Sequence, residues 1–269
     1  SKAFDSLDHS ILLDKLRYYG VRGVALQWFE SYLSYRFQYT QLNNEFSNYK
    51  LIKTGVPQGS VIGPLLYLIY VNDIFNASSA IKCVLYADDT VLLISGKTVN
   101  ELMSLASVYF GLFSVWFSDN KLALNATKTN FVMFASSNKL CNNCPSVLTF
   151  DIHTVNRVYN VRYLGLIIDS MLTWKCHVNT VNDKIVKGLA LIKKCSYFMP
   201  LECLRSIYFA YMYPYLQYGV EFWGVASAQA LHPILMSQKY ANRLISNAFK
   251  LEHCAPLARN YGIMFLYDI

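Results

Sequence analysis

Residues 83 to 94 read Cys-Val-Leu-Tyr-Ala-Asp-Asp-Thr-Val-Leu-Leu-Ile, which sets two adjacent carboxylates, Asp88 and Asp89, in the only polar gap of an apolar, β-branched run. Short apolar arms on either side of such a break predict a buried β-hairpin whose tip presents both carboxylates at the end of a sheet. Hard divalent cations such as Mg2+ take oxygen ligands, usually one or two carboxylates, and leave room for water and substrate phosphates. The competing reading is conformational: Asp favours turns because its side chain hydrogen-bonds the local backbone. The surrounding segments separate the two readings.

Those segments must position the hairpin. Ile11 to Tyr19, with Gly20 behind it, reads as a short amphipathic helix with a glycine stop, and Val24 to Leu33 as a second. Residues 36–42 and 46–54 alternate around Asn43-Asn44 and predict another hairpin. The compact turn Thr54-Gly55-Val56-Pro57-Gln58-Gly59-Ser60 leads into a helix from Ile62 to Phe75. From Val99 to Phe117, Leu102, Leu105, Tyr109, Phe113 and Trp116 recur at helical spacing, so these rings are assigned to core. Strands are expected at 130–135, 147–152 and 157–169. From Trp174 onward the pattern is helical, with Val178, Val181, Ile185, Leu189 and Ile192 on one stripe and Lys184, Lys187 and Lys194 off it. By spacing alone those lysines are a solvated face.

The 269 residues are 54% hydrophobic, enough for one large or two smaller cores, and disorder is excluded. Lys and Arg outnumber Asp and Glu, 24 to 17, and 15% of the chain is aromatic with 21 Tyr, a balance that suits a polyanionic, stackable partner such as nucleic acid. Mean hydropathy is +0.24, which raises the question of a membrane. The run at 61–71 is broken by Gly63 and Pro64, and that at 206–220 by Pro214 and Gln217, so both are expected to be buried core helices and no membrane association is expected. Seven thinly spread cysteines suit a reduced, intracellular protein. Cys141 and Cys144 lack a second pair at zinc-finger spacing, with His153 and Cys176 the conceivable extra ligands, and free thiols are the expectation.

In order along the chain, these motifs resemble those of the reverse transcriptases of non-LTR (LINE-like) retrotransposons. Ser1-Lys2-Ala3-Phe4-Asp5 with His9 resembles the end of the first palm motif, and Gly55-Val56-Pro57-Gln58-Gly59-Ser60 with Gly63-Pro64-Leu65-Leu66 the second. Tyr86-Ala87-Asp88-Asp89 matches the third, Leu124-Asn125-Ala126-Thr127-Lys128-Thr129 the fourth, and Tyr163-Leu164-Gly165 the fifth. Tyr213-Pro214, Trp223-Gly224 and Pro256-Leu257 resemble the region C-terminal to the palm in such elements.

The resemblance implies an α+β right-hand polymerase: a palm of antiparallel strands with flanking helices and residual finger elements over 1–173, then a helical thumb and the start of a further helical region over 174–269. It implies two Mg2+ ions, with Mn2+ as a substitute, an RNA template, a DNA primer and dNTPs. Asp88 and Asp89 would be the metal-binding catalytic carboxylates and Lys128 the proton donor to pyrophosphate. Ala3, Phe4, Gln58, Gly59 and Tyr86 would line the nucleotide, with the Phe4 ring against the sugar 2' position selecting dNTPs. Tyr163, Leu164 and Gly165 would contact the primer, and Lys184, Lys187 and Lys194 the duplex. Viral RNA polymerases share the Asp-Asp hairpin but usually carry glycine where Ala87 stands.

One departure bears on the chemistry. The family's third metal-binding Asp lies four residues before its Ala-Phe-Asp, and here only Ser1 and Lys2 precede Ala3. Residues alone nominate Asp5, then Asp8, as the third carboxylate; the resemblance gives Asp5 no metal role. The fingers that precede this segment in the family, and any endonuclease region, are likewise outside these residues; the expectation is a fragment, inactive alone, of a larger polyprotein or a truncated genomic copy. A decayed or repurposed copy that holds nucleic acid without catalysis is the alternative.

Overall fold

The computed structural model describes residues 3–78, 80–125, 127–135, 144–150, 153–249 and 252–269. The chain divides into two compact units, Ser1–Asn130 with Cys144–Asn156, and Phe131–Asn143 with Arg157–Ile269.

In the first unit, Asp8 opens the helix His9–Tyr18 by accepting the Ser10 and Ile11 amides, and Leu12 and Leu16 turn inward. The helix Gly23–Leu33 follows. A ribbon comes next: Arg36–Gln38 pairs antiparallel with Lys50–Ile52, and Gln41–Leu42 with Glu45–Phe46. Its tip is Asn43-Asn44, both left-handed at φ 47° and 68°, the conformation a two-residue hairpin turn demands and Asn tolerates. The predicted helix after the Gly/Pro turn runs Gly63–Val71 and then tightens into a 3-10 segment, Asn72–Ala77. The hairpin Lys82–Tyr86 with Asp89–Leu93 and the helix Val99–Asp119 follow.

The core of this unit gathers Leu7, Leu12, Leu16, Leu33, Val56, Leu66 and Tyr70. Tyr70 is fully buried; its hydroxyl donates to the Asn120 carbonyl at 2.6 Å and accepts the Asp8 amide at 3.3 Å, joining three helix ends. Beside it Lys15 reaches Asp73 at 2.7 Å. Burial pushes the Lys15 ammonium below its usual value, and the Asp73 carboxylate opposes that shift.

The second unit holds the antiparallel hairpin Asn160–Tyr163 with Leu166–Asp169 and the helices Lys175–Cys195, Leu201–Tyr211, Tyr213–Gln217, Val220–Trp223, Ala228–Ile245 and Cys254–Tyr261. The stripe read from sequence is inward: Val178, Val181, Ile185 and Ile192 are buried and Leu189 half-buried. The run at 206–220 is three helical pieces rather than one, split before Pro214, which lacks an amide hydrogen to continue the ladder, and at Gly219, left-handed at φ 64°.

Other expectations change. The strand at 130–135 shortens to Asn130–Phe131, and 157–169 is not one strand but the end of His153–Arg157 followed by a hairpin. Among the described residues the antiparallel ladders are separate two- and three-stranded pieces. The Ala3–Asp5 segment is a 3-10 turn whose Phe4 and Asp5 carbonyls accept from the Val56 amide and the Thr54 hydroxyl. Finally, outside the two apolar runs, the helix Val99–Asp119 is long and apolar enough to cross a membrane. Its Phe113 is buried, and Tyr109, Trp116 and Phe117 pack with it against the hairpin at 82–93.

Two glycines separate close packing from backbone strain. Gly55 and Gly59 share φ values of +84° and +82°, but a Cβ on Gly55 would lie 2.6 Å from the Asp5 Cα, whereas one on Gly59 meets nothing within 4 Å. Gly59→Ala is expected to cost the conformational penalty alone, about 1–2 kcal/mol. Gly55→Ala should cost clearly more, read by denaturant unfolding of both variants; equal costs would show that the approach to Asp5 is unimportant.

Candidate active site

Register fixes the two carboxylates. Tyr86 pairs with Asp89, which leaves Ala87 and Asp88 as a two-residue turn. Ala87 takes φ 50° and Asp88 is not left-handed, so the turn has its positive φ at the first central position. Cys83, Leu85 and Leu92 face inward onto Ile74 and Phe113. By alternation Val84, Tyr86, Asp89 and Val91 share the outer face. The expected hairpin is thus present but buried on one face only. The helix Val99–Asp119 and the 3-10 segment cover its inner face, and Tyr86 is 61% exposed on the other. Asp88 and Asp89 are exposed at the tip.

Phe4 sits half-buried in the 3-10 turn Ala3–Asp5, with its ring centroid 4.6 Å from that of Tyr67. Burial and then the nearby negative charge of Asp88 push the Tyr67 phenol above its usual value. The Gly55 amide donates to the Leu7 carbonyl at 2.7 Å and the Val56 amide to the Phe4 carbonyl at 2.9 Å. His9 Nε2 lies 2.8 Å from the Gly55 carbonyl oxygen, and Gln58 Nε2 donates to Asp5 Oδ1 at 2.9 Å. The structure therefore brings together Phe4, the loop bearing Gln58 and Gly59, and Tyr67, with Asp88 near enough for its charge to act on the Tyr67 phenol. Tyr67 is the residue that sequence reading missed; the signal was its place one turn into the helix that opens from the glycine loop.

The two carboxylates nominated from residues alone have other partners. Asp5 accepts from Gln58, and Asp8 caps its helix while pairing with Lys121 at 2.7 Å. Burial would raise the Asp8 pKa, but the hydrogen bonds from Lys121, Ser10 and Ile11 outweigh it and hold this carboxyl well below the usual range. No group of three His, Cys, Asp or Glu able to hold a metal occurs among the described residues. Asp88 and Asp89 supply an all-oxygen pair of the kind Mg2+ accepts. Cys141 lies outside the described residues, and Cys144 is a free thiol.

Lys128 is exposed in a turn; its amide donates to the Asn125 carbonyl at 3.1 Å and side-chain oxygen at 3.2 Å.

In the second unit, Tyr163 pairs with Leu166, and Leu164 and Gly165 form the turn with φ 46° and 83°. The Tyr218 hydroxyl donates to the Leu164 carbonyl, and a Cβ on Gly165 would lie 3.1 Å from the Tyr218 ring. Asp169 accepts the Thr173 amide at 2.9 Å and the Trp174 amide at 2.6 Å, completing the start of the helix Lys175–Cys195, whose entry residue Trp174 is left-handed at φ 62°. Lys184, Lys187 and Lys194 are exposed on that helix, and the Lys184 ammonium lies 4.6 Å from the Tyr215 ring centroid.

Comparison with known proteins assigns the family. The family described as reverse transcriptase (RNA-dependent DNA polymerase) matches residues 1–168. The chain belongs to the reverse transcriptase family. Its relatives place it among non-LTR retrotransposon reverse transcriptases. It is 28% identical over 258 residues to the RNA-directed DNA polymerase from mobile element jockey of Drosophila melanogaster, covering 92% of this chain and 28% of that protein. It is 30% identical over 216 residues to the jockey polymerase of Drosophila funebris, covering 75% of this chain and 23% of that protein. A retrovirus-related Pol polyprotein from a type-1 retrotransposable element R1 of Nasonia vitripennis is 25% identical over 145 residues, covering 52% of this chain and 35% of that protein. The chain thus spans less than a third of the jockey polymerases' length. Membership of the reverse transcriptase family carries with it a palm-type polymerase fold, and the mixed helix-and-sheet architecture agrees with it.

His177 gives the reverse transcriptase chain a measurable pH response. Its Nδ1 accepts the Ile167 amide at 3.2 Å, tying the hairpin to the helix Lys175–Cys195. Burial, with Lys184 and Arg162 nearby, pushes its pKa below the ordinary 6.5. A depressed folded-state pKa means the unfolded chain binds the proton first, so the stability from neutral His177 is present above pH 6.5 and is lost as pH falls through the lower folded value. Thermal melts between pH 7.5 and 5 should show this loss, and His177→Gln should flatten it.

Proposed function

We propose that this chain is part of an RNA-directed DNA polymerase and carries its nucleotidyl-transfer site at the Asp88-Asp89 tip. The observation that supports this most is the gathering of Phe4, the Gln58–Gly59 loop and Tyr67 beside the Asp88 carboxylate, in a chain of the reverse transcriptase family. The substrates would be an RNA template, a DNA primer and dNTPs. The remaining partner would be the rest of a retrotransposon polyprotein, since the chain spans only part of each relative.

Asp88 and Asp89 would hold Mg2+, with Mn2+ as a substitute; when bound, the metal ions supply the charge that activates the primer 3'-hydroxyl and stabilises the leaving pyrophosphate. The chain's own residues would do the rest. Phe4, with its backbone held by Val56 and its ring against Tyr67, is positioned as a rigid wall against the sugar 2' position. Gln58 and Gly59 would pack on the nascent base pair, with Ala3 and Tyr86 completing the nucleotide's surroundings. Lys128 would give its proton to the departing pyrophosphate. In the second unit, Tyr163, Leu164 and Gly165 would meet the primer, and Lys184, Lys187 and Lys194 the duplex phosphates. In this reading residues 1–173 are the palm with finger elements and 174–269 the thumb and the start of the following helical region. Asp88, Asp89, Gln58 and Lys128 are all intact, and nothing favours a non-catalytic copy.

In the full polyprotein that carries this segment, Asp88→Asn should abolish primer extension on an RNA template, and Asp89→Asn should slow it by orders of magnitude. Loss of one ligating carboxylate removes several kcal/mol of charge stabilisation, at roughly tenfold in rate per 1.4 kcal/mol. Near wild-type extension by Asp88→Asn would overturn the assignment. Phe4→Val should lower the ratio of dNTP to rNTP efficiency by about tenfold or more, within the range a single steric contact supplies. An unchanged ratio in a folded variant would make Phe4 a core residue only.

A further inference from the structure

The ribbon at 36–52 carries its rings on an exposed face. Phe37 lies directly opposite Leu51, and with a period of two Tyr39 and Tyr49 join them on the same face. That face is exposed: Phe37 58%, Tyr49 73%, and Phe46, whose ring centroid is 5.7 Å from that of Tyr39, 60%. Tyr39 and Tyr49 touch edge to face at 5.0 Å. The opposite face carries Arg36, Gln38, Lys50 and Ile52, and it is Arg36 and Ile52 that are half-buried, with the Arg36 guanidinium 6.0 Å from the ring centroid of Tyr32 on the helix Gly23–Leu33. Four rings presented outward while a cation turns inward is the reverse of the polarity that burial alone would select, and such a patch marks a binding surface.

The chemistry of the patch chooses its occupant. Rings rather than aliphatic side chains dominate it, and between Tyr35 and Thr54 there are three cations, Arg36, Lys50 and Lys53, against the single anion Glu45. Gln38, Gln41, Asn43, Asn44 and Asn48 add amide donors and acceptors suited to base edges. Exposed rings flanked by cations and amides suit unpaired bases on a polyanionic backbone, since every base has a π-face and stacking tolerates any sequence. The ribbon also runs directly into the loop at 54–59 that is fastened to the Phe4 segment.

We propose that the outer face of this ribbon is a stacking platform for single-stranded RNA, the unpaired template beside the active site; the choice of RNA rests on the polymerase reading. The test is fluorescence anisotropy of the 269-residue protein with a short labelled single-stranded RNA, in chelator so that no metal contributes. Tyr39→Ala with Tyr49→Ala should weaken binding by about tenfold or more, in line with alanine substitution of stacked rings elsewhere. Tyr39→Phe with Tyr49→Phe, which keeps both rings, should restore it, and competition by duplex DNA should be unchanged by either pair. An alanine pair with native circular dichroism and wild-type RNA affinity would overturn the proposal. So would a concentration-dependent dimer, lost in the alanine pair and undisturbed by RNA, which would make the occupant a second copy. Ring-dependent RNA binding in a protein whose Asp88→Asn variant still extends primers would leave the platform standing while the polymerase assignment fell.

Discussion

The approach of Gly55 to the backbone of Asp5 is the constraint on which the rest of the first unit depends. No residue with a Cβ fits there, and without the approach the Gly55 and Val56 amides would not reach the carbonyls of Leu7 and Phe4. These contacts join segments some 50 residues apart and involve backbone on both sides, so they hold position without relying on rotamers. They set the place of Phe4, the entry of the helix Gly63–Val71 and, through Tyr67, the neighbourhood of Asp88.

The second unit is organised by the same logic with different groups. Asp169 supplies through one carboxylate the hydrogen bonds that a left-handed Trp174 cannot, so its charged form is favoured: burial acts against it, but the Thr173 and Trp174 amides prevail and lower its pKa. Gly188 then lets the long helix lie close to the next one, where a Cβ would meet the Met212 side chain at 2.7 Å and the Tyr211 carbonyl at 2.9 Å. Buried Gln238 closes the core, donating to the Tyr208 hydroxyl at 3.0 Å and accepting the Leu266 amide at 2.9 Å. A polar side chain so placed is stable because both ends of its amide are satisfied.

The exposure of the hairpin tip has a physical logic of its own. Carboxylates that take a hard cation, the role proposed for Asp88 and Asp89, must remain open to water and phosphate, while their positions must not drift. Packing one face of the hairpin on Phe113 and Ile74 holds its backbone, and the turn at Ala87 sends the next two residues beyond the packed layer. Ala87 is itself a non-glycine at positive φ, where the hairpin's two-residue connection leaves it no alternative.

Local patterns were legible in the chain. The Asn43-Asn44 turn, the Asp-Asp hairpin, the inward stripe of the helix Lys175–Cys195 and the order of five motifs all depend on neighbours a few residues away, and steric and hydrophobic periodicity act at that range. Whatever depended on distant neighbours was not. That Asp8 is a helix cap and ion-pair partner, that Ala3–Asp5 is a turn fastened to the loop at 54–56, that Tyr67 stands beside Phe4, and that the ribbon turns its rings outward were decided by segments tens of residues away. Sequence determined which side chains could hold a cation or a base. The tertiary structure decided which of them remain available, because a carboxylate or a ring is claimed by whichever partner the fold brings within hydrogen-bond or van der Waals reach.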